Sequence, residues 1–190
     1  MIPVTWRRSH RSAFVRSRGA VMRAALFLPT VALSLATTCA TRPPVMSSRA
    51  IPDGAISVLM RRDEGTVSIF QGNSGMTDSA RLVIRGDAEW RRTWAQLVGH
   101  IAPAPELPAI DFTQEMVVIA AMGQRPTAGH MIRIARVGRS SGVTYVDVIS
   151  ENPGPTCRAA QMITSPADVV VVPVINEPVA FVETSSVKVC

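Results

Sequence analysis

The chain is poor in the residues that usually carry chemistry. It has three histidines and three cysteines in 190 residues, and beyond residue 55 the only histidines are His100 and His130. Those two have no metal-ligand spacing, and the cysteines form no zinc pattern. There is no phosphate-cradling glycine loop and no serine in a nucleophile elbow. Asp111 and Glu115 are close enough in sequence to be weighed as an acid/base pair. A turn-capping Asp and a solvated Glu account for both without chemistry. His130, a lone polar residue at a loop edge, is read more simply as exposed than as a base. No catalytic residue, metal ligand or cofactor is assigned, and the chain is expected not to be an enzyme.

Acidic residues are absent from the first 40 positions, which hold Arg7, Arg8, Arg11, Arg16, Arg18 and Arg23. Those are six of the 20 Lys and Arg residues, so the 14 that follow balance all 14 Asp and Glu. The net charge of +6 is therefore confined to the leader. No basic footprint is left on the rest, and a nucleic-acid partner is not expected.

An apolar run long enough to span a bilayer, about 20 residues, is missing as well. The run 24–36 follows Met22-Arg23 and gives way to Thr37-Thr38-Cys39-Ala40. A short basic start, an apolar stretch and a small-residue exit describe a secretory signal peptide over residues 22–40. Residues 1–21 are then an upstream extension or a mis-assigned start. Cleavage before Cys39 with lipidation would give a lipoprotein, although Thr38 and the missing aliphatic residue three places upstream fit that poorly. Cleavage after Ala40 would release a free protein. Either fate implies export to the periplasm or outer membrane of a bacterium, with membrane contact only through Cys39.

Export places the remaining cysteines where disulfides persist. Cys157 and Cys190 are the two left in the globular part, and pairing them would contribute roughly 3–4 kcal/mol in the chain-entropy model. Two unpaired thiols are the alternative.

Residues 41–55, with Pro43, Pro44, Pro52, Ser47, Ser48 and Gly54, have the composition of a flexible tether. The single domain is expected over 56–190. Short strands are predicted at 56–60, 66–70 and 81–85, with a turn cluster at 71–78. Asp87 is placed as the N-cap of the one helix. That helix is amphipathic, near residues 88–98, with Trp90, Trp94, Leu97 and Val98 on one stripe and Gly99 at its end. Pro103, Pro105 and Pro108 mark an extended connection.

The run 116–122 reads as a strand covered on both faces. Strands at 131–137 and 143–149 follow, joined through residues 138–142. A turn at 151–155 precedes further strands at 159–164, 169–172, 179–183 and 187–190. The fold class is α+β, mostly antiparallel β with sandwich-like sheet packing and one helix.

Between the strands at 116–122 and 131–137 lies the most constrained loop in the sequence. Pro126 fixes φ, Gly123 and Gly129 permit backbone that other residues resist, and Thr127 offers a short hydrogen-bonding side chain. A hairpin loop using ordinary turn chemistry is one reading. The functional one is a stiff surface presented to a partner, with Gly123, Arg125, Pro126, Thr127, Gly129 and His130 as the candidate contacts.

These residues carry a resemblance. Trp90 with Trp94, Ile110-Asp-Phe112, Met116-Val-Val118, Gly123-x-x-Pro-Thr-x-Gly129, Pro153-Gly-Pro155 and Gln161-Met-Ile-Thr-Ser-Pro166 together resemble the C-terminal domain of the protease complex subunit PrcB family. The resemblance covers residues from about 87 to 182. It implies an exported, often lipid-anchored protein without chemistry of its own, which binds or stabilises a protein partner such as a protease. His130 departs from the family, which often has an aromatic residue there. Pro126-Thr-Ala-Gly129 is also similar to the Pro-Thr-Thr-Gly loop of chagasin-like inhibitors of cysteine proteases, with one mismatch over four residues. A protease inhibitor using the same loop is the alternative reading.

Overall fold

The computed structural model describes residues 45–47, 57–62 and 68–190. The expected signal peptide, Cys39 and most of the tether lie outside them. The chain is organised on β5 (Glu115–Met122), whose residues from Met116 onward are all buried. Side chains alternate across a strand, so β5 feeds two cores. Met116, Val118, Ala120 and Met122 enter one cluster with residues of the opposite sheet. Val117, Ile119 and Ala121 enter another beneath the helix. Burying side chains of this size contributes roughly 1.5–3 kcal/mol each, which is why an uninterrupted apolar run settles here.

One sheet runs in the order β1 (Val45–Ser47), β9 (Val179–Lys188), β7 (Val143–Pro153), β6 (Met131–Ser140), β2 (Ser57–Arg61). The other runs β3 (Phe70–Asn73), β8 (Pro166–Pro173), β5, β4 (Ser79–Ile84). Pairing is mostly antiparallel, with two parallel exceptions, β1 with β9 and β7 with β9. The second arises because the chain leaves β7 for β8 in the other sheet and returns to lie beside β7 in the same direction.

Helix α1 (Asp87–Val98) buries Trp90, Thr93, Trp94, Leu97 and Val98. Trp90 Nε1 donates to Pro108 O at 2.9 Å and Trp94 Nε1 to Pro105 O at 3.3 Å, so the proline-rich connection satisfies both indoles. This favours packing over a ligand platform as the use of the two tryptophans. The N-cap is Gly86, in extended conformation, rather than the expected Asp87. Asp87 instead takes Arg91 one turn on, at 2.6 Å.

Several expected boundaries move. Residues 71–73 belong to β3, paired with β8, and not to the turn cluster. The connection 138–142 shrinks to Ser141 and Gly142, both with positive φ (49° and 73°), because Ser140 already pairs with Val143. Two consecutive left-handed residues make the type I′ turn that matches strand twist. β7 runs through to Pro153, where a turn was expected, and of the expected strand at 187–190 only Val187 and Lys188 are strand, as the end of β9. No strand forms at 159–164, where only Thr164 bridges to Arg125. Val45–Ser47 pairs with β9 inside the segment expected as tether. The expected strand at 66–70 falls partly outside the described residues.

Two polar ties cross between the sheets. Arg81 on β4 donates from Nε to Glu183 Oε1 on β9 at 2.6 Å. Asp168 on β8, with no exposed surface, accepts from Arg62, from the Ser68 hydroxyl and from Ile134 N–H at 2.6 Å. Ile134 lies beside a register shift in β6. Burial pushes the Asp168 carboxyl above the usual carboxylate range, against the lowering pull of Ser68, Ile134 N–H and Arg62.

Candidate functional site

β5 and β6 lie in different sheets, so the loop 123–129 is a crossing between sheets and not a hairpin loop. Its entry needs glycine. Gly123 has φ 71°, and a Cβ there would lie 2.7 Å from Ser79 N, 2.8 Å from Asp78 C and 2.9 Å from Thr77 O. Behind it, Gln124 N–H donates to Thr77 O at 2.9 Å.

The rest of the loop is braced on the segment 154–165. Arg125 and Thr164 exchange both backbone hydrogen bonds, at 2.7 and 3.0 Å. Ala128 N–H donates to Ala160 O at 2.9 Å, and the Thr164 hydroxyl donates to Thr127 O at 3.0 Å. The outcome is a fixed loop with Pro126 and Gly129 exposed, Thr127 and His130 half-buried and Gly123 buried. Arg125 turns back, donating from Nη2 to Met122 O at 3.0 Å, while its buried Nε has no partner. Of the six candidate contacts, Gly123 is therefore a hinge behind the surface, and Arg125 mainly anchors the loop.

His130 is held from both sides. Its Nδ1 is 3.0 Å from Asn152 Oδ1 and its Nε2 is 3.3 Å from the Thr127 hydroxyl. An amide oxygen accepts only, so Nδ1 carries hydrogen and, in the neutral ring, Nε2 accepts from Thr127. Asn152 in turn donates to Ser185 Oγ at 3.2 Å. Hydroxyl, imidazole and amide stand in the order of a nucleophile, base and orienting group. Acyl chemistry would also need donors aimed at a developing oxyanion. Here the neighbouring Ala128 N–H is spent on Ala160 O. The trio fixes the loop where it enters β6.

The same end of the molecule exposes apolar side chains that sequence reasoning missed. Met162 is 54% exposed and Ile163 is 66% exposed on the bracing segment, and Met131 at the start of β6 is exposed too. The clue was present, two large apolar residues between Gln161 and Thr164, but it was spent on a strand. Cys157 and Cys190 form a disulfide with Cα atoms 5.0 Å apart, holding the start of this segment to the chain beyond β9. Asp111 caps a turn through Thr113 N–H at 3.0 Å and the Thr113 hydroxyl at 2.6 Å, and these bonds hold its carboxyl below the usual range. Its oxygens are occupied by that turn. Among the described residues no group of three or more His, Cys, Asp or Glu could hold a metal ion, and no helix is long and apolar enough to cross a membrane.

The braced loop, the bracing segment up to Thr164 and the strands around them coincide with one family signature. Residues 116–173 match the family model described as PrcB C-terminal. The match supports the PrcB resemblance carried by the residues, and it includes β5 from Met116 onward, the whole loop, β6, β7 and β8. Neither the curated proteins nor the solved structures contain a match to the chain.

Proposed function

We propose that the protein is an exported, non-catalytic accessory subunit whose domain binds or stabilises a protein partner, a protease, through the surface built by the loop 123–129 and residues 160–164. The observation that carries this reading is the PrcB C-terminal match over a loop tied to Thr77 and to residues 160–164 by four backbone hydrogen bonds and one from the Thr164 hydroxyl. A loop already ordered loses little conformational freedom on binding, and that favours affinity. Exposed Pro126, Met162 and Ile163 supply the apolar contact. Export through the leader at 22–40, with lipidation at Cys39 or release after Ala40, belongs to the same proposal. Mass spectrometry of the mature N-terminus distinguishes those two forms.

The test is recovery of the partner from an envelope extract by the wild-type protein and by a Pro126→Ala, Thr127→Ala variant. The expected result is a protease recovered with the first and depleted with the second. Equal recovery removes the loop from the reading.

The stiffness of Pro126-Thr127-Ala128-Gly129 also suits the second reading, a chagasin-like inhibitor that inserts this loop into a protease cleft. Titration into papain-like and subtilisin-like proteases tests it, and unchanged activity throughout discards it.

A further inference from the structure

The segment that braces the loop, residues 154–165 between β7 and β8, has little to hold it along its middle. None of residues 155–163 is buried, and all but Cys157 and Ala159 are exposed. Such a stretch gains no apolar burial to offset the entropy lost in ordering its backbone. Both of its ends are fastened. Gly154 N–H donates to Lys188 O at 3.0 Å, where the pairing of β7 with β9 stops. Thr164 exchanges two backbone bonds with Arg125, and the carbonyl of buried Ser165 accepts Ser74 N–H at 2.8 Å.

Between those ends the described residues supply three backbone hydrogen bonds. Two are local, Cys157 N–H to Gly154 O and Met162 N–H to Ala160 O, both at 3.0 Å. The third joins the loop, Ala128 N–H to Ala160 O at 2.9 Å. To these is added the disulfide from Cys157 to Cys190. Its far end is open to solvent, because Cys190 is exposed and Val189 before it is 90% exposed. Exposed disulfides are the ones that exchange readily with thiols.

We propose that the Cys157–Cys190 bridge is a thiol–disulfide exchange site through which a dithiol reductant unlatches the bracing segment. In the oxidised form the bridge holds residues 155–163, and with them exposed Met162 and Ile163, beside the loop 123–129. In the opened form that span is free between Gly154 and Thr164, and Ala128 N–H loses its acceptor. One thiolate of the reductant attacks Cys190 Sγ, the S–S bond breaks, and Cys157 leaves as a thiolate. The second thiol of the reductant attacks the mixed disulfide, forms the reductant's own S–S bond and releases Cys190. Two electrons pass from the dithiol to the bridge, and its two protons end on the two cysteines. That a partner meets this surface rests on the preceding reading, whereas the unlatching is a property of the protein alone.

The experiment uses the full chain with dithiothreitol as the probe and no partner present. Thiol trapping with mass spectrometry follows the bridge, and amide exchange by NMR follows the segment. Dithiothreitol should open the bridge in the folded protein at a rate within about tenfold of that in urea-unfolded protein. In the opened protein the amides of Ala128, Cys157 and Met162 should exchange about tenfold or more faster than in the oxidised one. Those of Val118 and Val170, paired at the centre of their sheet, should keep their protection. Reoxidation should restore the slow rates, and Cys157→Ser with Cys190→Ser should show the opened pattern without reductant. Three results overturn the proposal. One is a bridge that opens only as fast as the whole protein unfolds, a measurement that does not depend on how well the serine variant folds. Another is equal exchange of Ala128 and Met162 in both forms. The third is loss of protection at Val118 and Val170 together with the segment, which makes the bridge a staple of the whole fold. Equal protease recovery by the Pro126→Ala, Thr127→Ala variant would overturn the preceding reading and leave this one standing.

Discussion

Replacing Asp168 with alanine removes the acceptor at the centre of the tie between the sheets. Asp168 has 0% of its side chain exposed and Arg62 has 18%. The substitution leaves the Arg62 guanidinium, the Ile134 N–H and the Ser68 hydroxyl facing a space that water reaches poorly. Breaking a buried ion pair from one side costs roughly 3–5 kcal/mol. Arg62 recovers some hydration through its exposed fraction, so the loss should lie near the lower end, about 3 kcal/mol. For a domain of this size that lowers Tm by roughly 6–12 °C. Urea unfolding and calorimetry read both quantities. Arg62→Met combined with Asp168→Leu should recover part of that loss because the desolvation cost of the charges disappears, but it should still cost about 1–3 kcal/mol because the Ile134 N–H and the Ser68 hydroxyl lose their acceptor.

The pH dependence gives an independent sign. Burial holds the folded-state pKa of Asp168 above the ordinary value of 3.8. The pH-dependent part of its contribution is therefore complete below the unfolded pKa and is lost as pH rises through the folded one, while its role as acceptor for Arg62, Ser68 and Ile134 N–H continues above it. Against Asp168→Asn, the wild-type protein should lose ground as pH rises from about 3.8 through that raised pKa. A wild-type advantage that grows over the window, or a loss under about 1 kcal/mol in Asp168→Ala, would refute the reasoning.

Gly123→Ala should destabilise by more than about 2 kcal/mol, adding left-handed strain of ~1–2 kcal/mol to the close approach to backbone at residues 77–79. Gly129→Ala has the same sign of φ, but its Cβ would meet only Pro153 side-chain atoms at 3.6 Å and beyond, so about 1 kcal/mol is expected. Equal losses in denaturant midpoints would contradict the assignment of Gly123 as the hinge. Opening the Cys157–Cys190 bridge, whose partners have a sequence separation of 33, by Cys157→Ser with Cys190→Ser should cost about 4 kcal/mol in the chain-entropy model. A free-thiol assay on the native protein should find neither cysteine reactive. Trp90→Ala should cost roughly 3–5 kcal/mol, since Trp90 is 1% exposed and 5.2 Å from the Trp94 ring centroid. A variant that unfolds at the wild-type urea concentration would reopen the ligand-platform reading.

How much of this was legible in the residues depended on whether the governing interaction was local. The run 116–122 is apolar without a break and too short for a typical helix, which suits a strand covered on both faces, so β5 could be read directly. The tryptophan stripe gave the helix in the same way. Strand partners were not legible. Whether β5 turns back on itself or crosses to a second sheet depends on contacts such as Arg125 with Thr164, which no period in the sequence encodes. The loop could be found from Gly123, Pro126 and Gly129, but not the segment that braces it, because Met162 and Ile163 read equally well as strand residues. Asp168 among valines was a signal left unused, since a charge in a buried run requires a partner. That partner, Arg62, lies 106 positions away.

The central claim is that the braced loop is a contact surface for a protease. It is tested most directly by comparing protease recovered from an envelope extract on immobilised wild-type protein and on the Pro126→Ala, Thr127→Ala variant, with both shown folded by their unfolding curves. The account predicts that a protease is recovered with wild type and falls about tenfold or more with the variant, the size of effect that losing a few central contacts produces. Equal recovery by the two proteins, or recovery of no protease by either, would contradict it.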